Sequence, residues 1–369
     1  MAVIVREQVT LSDHTTLRLG GPAAAFIEAS TDEQLVAVVR AADLETEPVL
    51  VLGGGSNLVV ADEGFPGVVV HVATRGTTIT PDGDGVAVTI AAGEDWDALV
   101  QRCVEEELSG LECMSGIPGL AGATPIQNVG AYGHEVAETI VTVRAYDRLR
   151  DLVVELANAE CGFGYRTSAF KMRGAGRPGA ALNPAAATGR FVVLSVSFRL
   201  ARNLLSAPIG YGELAKVLGA AVGSRVPLAD ARRAVLGLRR GKGMVLDPGD
   251  PDTRSAGSFF TNPVLDRRQF AEVQRRAAAR LGRPVPHFAS GDGSVKIPAA
   301  WLIEHAGFRK GYPQGGGARI SSKHTLALIN PGGASTAGLV ALAREIQAGV
   351  REAFGVELAS EPVLVGAEL

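Results

Sequence analysis

The stretch Val51-Leu52-Gly53-Gly54-Gly55-Ser56-Asn57-Leu58 carries a short apolar run straight into three consecutive glycines and two small polar residues. With Pro48, Val49 and Leu50 ahead of it, the run reads as a buried strand. Consecutive glycines let main chain approach a diphosphate closely, and their N–H groups can form an anion-binding nest. Ser56 and Asn57 add side-chain donors. No Gly-Lys-Ser/Thr follows, so this is not a Walker loop, and Gly-x-Gly-x-x-Gly does not fit either. Taken alone, the stretch also reads as a tight strand-to-turn corner.

Working outward, residues 31–42 have a helical apolar face (Leu35, Val36, Val38, Val39, Ala42) behind the capping pair Thr31 and Asp32. Val68–Val70 and Val86–Ile90 read as strands. Asp95 to Glu107 reads as an amphipathic helix with Trp96, Leu99, Val100, Cys103 and Val104 inward. A second glycine-rich block, Ser115 to Gly133, has neither helical nor alternating periodicity, yet it is apolar enough to be buried. Its small residues permit a planar ligand to lie against main chain, with Gln127 and Asn128 able to reach ring edges; a buried irregular linker is the other reading. Strands resume at 140–146, 152–156 and 191–200. This mixture is α+β, without regular βα alternation. Residues 173–189 are rich in Gly, Ala and Pro and read as a mobile surface insertion. Composition shifts near Ala201–Pro208, which suggests a boundary between 1–202 and 203–369. Helices are expected beyond it at about 228–240, 266–281, 298–306 and 336–354.

Composition narrows the function classes. The 369 residues carry 36 basic and 39 acidic side chains, net −3. That balance argues against nucleic acid and polybasic membrane contacts. With 46% hydrophobic and 20% charged residues a sizeable core is feasible. No run of about 18 apolar residues exists, so no spanning helix is expected. Arg6 and Glu7 interrupt the place of a signal-peptide core, so a cytoplasmic chain is expected. Three cysteines (Cys103, Cys113, Cys161) without Cys-x-x-Cys spacing read as reduced structural thiols. Six scattered histidines without a His-Glu-x-x-His pattern make a protein-built metal site unexpected.

Three further segments hold reactive side chains among apolar or small neighbours. In Gly162-Phe163-Gly164-Tyr165-Arg166-Thr167-Ser168-Ala169-Phe170-Lys171, Arg166 suits a bidentate grip on a carboxylate, or a structural ion pair. In Ala256-Gly257-Ser258-Phe259-Phe260-Thr261-Asn262-Pro263, Ser258 is a hydroxyl between a glycine and two aromatic rings. There is no Gly-x-Ser-x-Gly elbow, and a satisfied core serine is the plainer alternative. In Leu358-Ala359-Ser360-Glu361-Pro362-Val363, Glu361 precedes an apolar strand and is either a partly buried carboxylate or a turn residue.

These blocks, in this order, resemble the UDP-N-acetylenolpyruvoylglucosamine reductase (MurB) family, type I-like, over nearly the whole chain from Thr15 to Glu361. The most specific segments are GGGSNL at 53–58, GIPGLAGATPIQNVGAYG at 116–133, GYRTSAFK at 164–171 and AGSFFTNP at 256–263. The resemblance implies a two-lobed FAD-binding domain of the vanillyl-alcohol-oxidase-like (PCMH-type) fold, with lobes of about 1–72 and 73–202. A C-terminal α+β substrate-binding domain would follow, its tail returning Glu361 to the active site. It implies non-covalent FAD, the diphosphate held by Gly53, Gly54, Gly55, Ser56 and Asn57. Ser115, Gly116, Ile117, Pro118, Gly119, Gly122, Ala123, Pro125, Gln127, Asn128, Gly130, Ala131, Tyr132 and Gly133 would line the flavin and adenosine. It implies substrate contacts from Tyr165, Tyr211 (as a closing lid), Arg239, Lys242 and Asn262.

The family reaction uses NADPH to reduce the enolpyruvyl ether of UDP-N-acetylglucosamine enolpyruvate to UDP-N-acetylmuramate, both ligands using a shared cleft in turn. Hydride reaches C3 from flavin N5. Arg166 would hold the substrate carboxylate, a protonated Glu361 would hydrogen-bond the enol oxygen, and Ser258 would protonate C2. A monomer is the family expectation. Thr261 stands where many relatives carry Lys, and Ser360 where a Pro commonly precedes the glutamate. A same-fold oxidase would need a covalent flavin link through His or Cys, which neither glycine-rich motif contains. A non-catalytic UDP-sugar sensor would lack one of Arg166, Ser258 or Glu361, and all three are present.

Overall fold

The computed structural model describes residues 4–171, 188–290 and 293–369. The chain divides into two compact units. The first comprises Met1–Thr10, Pro22–Gly55 and Phe65–Val245; the second comprises Leu11–Gly21, Ser56–Gly64 and Leu246–Leu369.

The first unit contains two sheets. β1 (Val5–Thr10), β2 (Pro22–Ala29), β3 (Val49–Leu52) and β5 (Phe65–Val72) form one, in the order β1-β2-β5-β3. β1 pairs antiparallel with β2, while β2 and β3 both run parallel to β5. Between β2 and β3 lies α1 (Asp32–Leu44), capped by the Thr31 hydroxyl accepting from the Gln34 amide and burying Leu35, Val39 and Ala42. β6 (Thr77–Asp82), β7 (Gly85–Ala91) and strands 140–147, 152–157 and 191–202 form the antiparallel second sheet. Strand 191–202 sits at its centre, paired with 140–147 and with β7. α2 (Trp96–Glu105) is capped by Asp95, whose carboxylate accepts from the Ala98 amide at 2.8 Å. Its buried face (Trp96, Leu99, Val100, Cys103) joins one continuous apolar core with both sheets.

α3 (Gly212–Leu218) and α4 (Leu228–Gly241) also belong to the first unit. Cys113, Ile209, Leu214, Ala215 and Val235 make a small core of their own. The structural division therefore falls between Val245 and Leu246, downstream of the composition change at 201–208. The reason is visible in the contacts: Arg232 of α4 pairs with Asp97 of α2, and Pro208 is bonded to His134. α3 had no counterpart in the sequence reading, being only seven residues long.

The second unit is built on α5 (Arg267–Leu281), α6 (Ala299–His305) and α7 (Thr336–Phe354). α7 buries Leu339, Leu342, Ala343, Ile346 and Val350 and ends at Gly355, whose φ of 71° is the left-handed cap that suits glycine. Its first amides, of Thr336 and Ala337, donate to the Asp62 carboxylate at 2.8 and 2.9 Å. β4 (Leu58–Val60) runs parallel to the terminal strand Val363–Val365. Phe259, Phe260, Leu302, Ile346 and Phe354 centre the core.

Most of the insertion expected at 173–189 lies outside the described residues. Among the described residues no helix is long and apolar enough to cross a membrane.

Candidate active site

The GGGSN stretch spans the division, its glycines in the first unit and Ser56 and Asn57 in the second. Gly55 takes φ 59°, turning the chain as β3 ends. Gly54 has no room for a side chain, because a Cβ there would lie 2.8 Å from the Gly119 Cα. The two glycine-rich motifs thus meet main chain to main chain, which only glycine permits.

Within the first unit, residues 126–130 are stitched to the loop 164–171. Arg166 donates through Nη2 to the Gly130 carbonyl at 2.9 Å, and its guanidinium lies 5.4 Å from the centre of the Tyr165 ring. Lys171 Nζ donates to Gln127 Oε1 at 3.2 Å and to the Arg166 carbonyl at 3.0 Å. Ser168 Oγ donates to the Ile126 carbonyl at 2.7 Å. Arg166 itself sits at φ 53°, a conformation that costs a non-glycine residue about 1–3 kcal/mol and persists because the surroundings enforce it. Asn128 Nδ2 donates to Glu135 at 2.6 Å and to the Gly164 carbonyl at 3.1 Å, and its Oδ1 accepts from the Ala137 amide at 3.1 Å. With both donors and the acceptor engaged by protein, this amide shapes the turn rather than reaching a ring edge. Likewise the Ser115 hydroxyl donates to the Glu112 carbonyl at 2.6 Å.

Gly116, at φ 73°, donates its amide to Asp97 Oδ1 at 2.6 Å. The same carboxylate receives both terminal nitrogens of Arg232, at 2.6 and 3.0 Å. Burial pushes Asp97 up, but the Arg232 and Gly116 hydrogen bonds hold it below the usual carboxylate range overall. Arg239 Nη2 donates to the Met244 carbonyl at 2.7 Å, while its Nε is buried without a partner among the described residues. Burial pulls Arg239 down to about 10. The side-chain-free main chain where Gly54 meets Gly119 fits the close approach of a flat, diphosphate-bearing ligand such as FAD. Tyr132 and Tyr211 meet edge to face at 5.8 Å. Lys242 Nζ lies 5.9 Å from the Tyr132 ring centre and 2.6 Å from Glu213 Oε2. Asp97, Arg232, Glu135 and His134 were not among the residues expected from sequence. Only their nearness to the glycine-rich block in the fold reveals them.

In the second unit, main-chain hydrogen bonds tie the segment of Glu361 to the segments that carry Ser258 and Asn57. The Phe259 amide donates to the Leu326 carbonyl at 2.7 Å, the Glu361 amide to the Phe259 carbonyl at 2.8 Å, and the Thr261 amide to the Ala359 carbonyl at 3.0 Å. Phe260 and Ser360 form the antiparallel bridge between them. Two residues beyond Glu361, the Val363 amide donates to the Asn57 carbonyl at 2.9 Å. Ser258 and Glu361 are both half-buried, and Gly257 before the serine turns the chain at φ 73°. Asn262 Oδ1 accepts from the Ala299 amide at the start of α6, at 2.9 Å. No metal-capable cluster of His, Cys, Asp and Glu occurs among the described residues.

Comparison with known proteins adds to this geometry. Residues 250–365 match the family model of the UDP-N-acetylenolpyruvoylglucosamine reductase C-terminal domain, and residues 23–153 match an FAD binding domain. The chain is 54% identical to the UDP-N-acetylenolpyruvoylglucosamine reductase of Thermobifida fusca, covering 100% of both chains. It is 47% identical to that of Mycolicibacterium smegmatis, covering 100% of this chain and 97% of the relative. The solved UDP-N-acetylenolpyruvylglucosamine reductase of Thermus caldophilus superposes with a TM-score of 0.62 at 26% identity, covering 98% and 99% of the two chains.

Proposed function

The chain belongs to the UDP-N-acetylenolpyruvoylglucosamine reductase family, and on that premise we propose how its residues carry out the reaction. It is an FAD-dependent oxidoreductase that reduces the enolpyruvyl ether of UDP-N-acetylglucosamine enolpyruvate in peptidoglycan precursor synthesis. NADPH and the UDP-sugar use one site in turn, in the cytoplasm, and the enzyme acts as a monomer.

FAD, when bound, would supply the hydride chemistry between NADPH and C3 of the enolpyruvyl group. Gly53 to Asn57 offer main-chain N–H groups to its diphosphate, and the Ser115–Gly133 stretch with Arg239 lines its rings. Tyr211, Lys242 and Asn262 hold the substrate nucleotide and its diphosphate. As C3 gains hydride, negative charge spreads over C2 and the carboxylate. Arg166, tied at Gly130 by a 2.9 Å hydrogen bond, meets that carboxylate with a guanidinium already in place. Glu361 in its protonated form donates to the enol oxygen. Ser258 Oγ then passes its proton to C2, completing the lactyl ether, and regains a proton from solvent. A serine is a weak acid, so this step requires a strongly basic carbanion held close.

The observation that supports this reading is the 2.8 Å hydrogen bond from the Glu361 amide to the Phe259 carbonyl, which ties the segment of Glu361 to the residue after Ser258. An anaerobic absorbance titration tests it. NADPH should bleach a flavin band at about 450 nm, and the enolpyruvyl substrate should restore it, the redox chemistry being the cofactor's own. Bleaching without recovery rejects the substrate; a protein that cannot be reconstituted with FAD rejects the cofactor.

A further inference from the structure

The segment that carries Tyr211 is held to the end of the glycine-rich motif by a histidine that the reaction scheme does not use. His134 follows Tyr132 and Gly133 directly. Its Nε2 lies 2.8 Å from the Pro208 carbonyl and its Nδ1 lies 2.7 Å from Glu138 Oε2. Carbonyl and carboxylate oxygens accept, so Nε2 is the donor toward Pro208, as Nδ1 is toward Glu138. The His134 side chain is only 12% exposed. Next to it, Gly133 (φ 89°) packs on Gly210 so tightly that a Cβ would stand 2.9 Å from the Gly210 carbonyl carbon. Ile209 is fully buried and its amide donates to the Ser224 carbonyl at 2.8 Å. Tyr211, two residues on, is 43% exposed. The exposed ring is therefore aimed by the short run Pro208–Gly210, whose middle residue is buried and whose upstream carbonyl is gripped by His134.

We infer that His134 is a positioning residue for substrate binding: its Nε2–H fixes the Pro208 carbonyl and thereby aims Tyr211. This inference rests on the proposed role of Tyr211 against the substrate nucleotide. It makes a donor, rather than mere bulk, the requirement at position 134. His134→Met fills similar space without a donor, and His134→Gln restores an N–H at comparable reach.

The experiment uses the FAD-loaded protein. His134→Met raises KM for UDP-N-acetylglucosamine enolpyruvate about fivefold, the worth of one ordinary hydrogen bond. The rate of flavin reduction by NADPH and the FAD content stay as in the parent protein. Amide hydrogen exchange across residues 209–215 quickens in His134→Met, and His134→Gln returns both KM and exchange towards the parent values. Equal behaviour of the Met and Gln variants, or unchanged KM and exchange in His134→Met, overturns the inference. Tyr211→Ala separates the premise from the inference. If it raises KM while His134→Met does not, only the inference falls; if it leaves KM unchanged, the role of Tyr211 falls and the inference with it.

Discussion

The amide of Glu361 donates to the carbonyl of Phe259 at 2.8 Å, so the residue after Ser258 is locked to a glutamate 102 positions further along the chain. The register continues through the Phe260–Ser360 bridge and the Thr261–Ala359 hydrogen bond. The two segments are thereby tied by main chain, so substitutions of the Ser258 and Glu361 side chains leave these backbone hydrogen bonds available.

Ser258→Ala should leave flavin reduction by NADPH intact and slow reoxidation by the enolpyruvyl substrate by about 10²–10⁴-fold, the usual share of a positioned acid. Stopped-flow measurement of the two half-reactions separates them. Equal slowing of both would remove Ser258 as the proton donor.

Arg166→Ala should harm the carboxylate-dependent half-reaction most, by about 10²–10³-fold, as for loss of one charge-stabilising group. Steady-state turnover with the enolpyruvyl substrate is the check, and unchanged turnover would take Arg166 off the catalytic list. Arg166→Lys should recover little, because a point-charge ammonium does not reproduce the planar fork.

Asp97→Asn keeps an acceptor for the Gly116 amide but loses the charge that pairs with Arg232. FAD affinity, measured by fluorescence on refilling apoprotein, should fall several-fold while the apoprotein remains folded. Because the folded pKa of Asp97 is held below its unfolded value, its contribution is present above the unfolded value, about 3.8, and is lost as pH falls below it. Parent and variant should therefore converge in stability in acid. A refilling curve identical to that of the parent protein would mean that the Gly116 turn does not depend on this carboxylate.

The three free thiols should be silent in the native protein. Burial pushes Cys103 and Cys113 up to about 12 and Cys161 up to about 11. A thiol reagent at pH 8 should label none of them until denaturant is added, and then all three. The sign for stability follows: a raised folded pKa means full stability below the unfolded thiol value, near 9, and progressive loss as pH rises towards 11–12. A urea midpoint that stays level from pH 8 to 11 would contradict this.

Much of the local structure is set by the residues in sequence. The apolar spacing and capping pair at Thr31–Asp32, the Asp95 cap before Trp96, and the stripe Leu339-Leu342-Ala343-Ile346-Val350 each specify a helix that forms as read, because these signals act within one or two turns. The order of the glycine-rich motifs and of the segments around Arg166, Ser258 and Glu361 is likewise legible, since the family resemblance lies in residue type and order. What sequence could not supply is pairing at a distance. That Asn128 spends its amide on Glu135 and Gly164, that Arg232 reaches back to Asp97, that His134 grips Pro208, and that residues 203–245 pack with the first unit depend on which segments meet. Hydrogen-bond partners separated by 135 positions, as Arg232 and Asp97 are, or by 274, as Thr336 and Asp62 are, are chosen by the packing of whole sheets and helices, and no local pattern encodes them. Residue order determined the family and its chemical groups; tertiary structure alone decided which of those groups are held in place and by what.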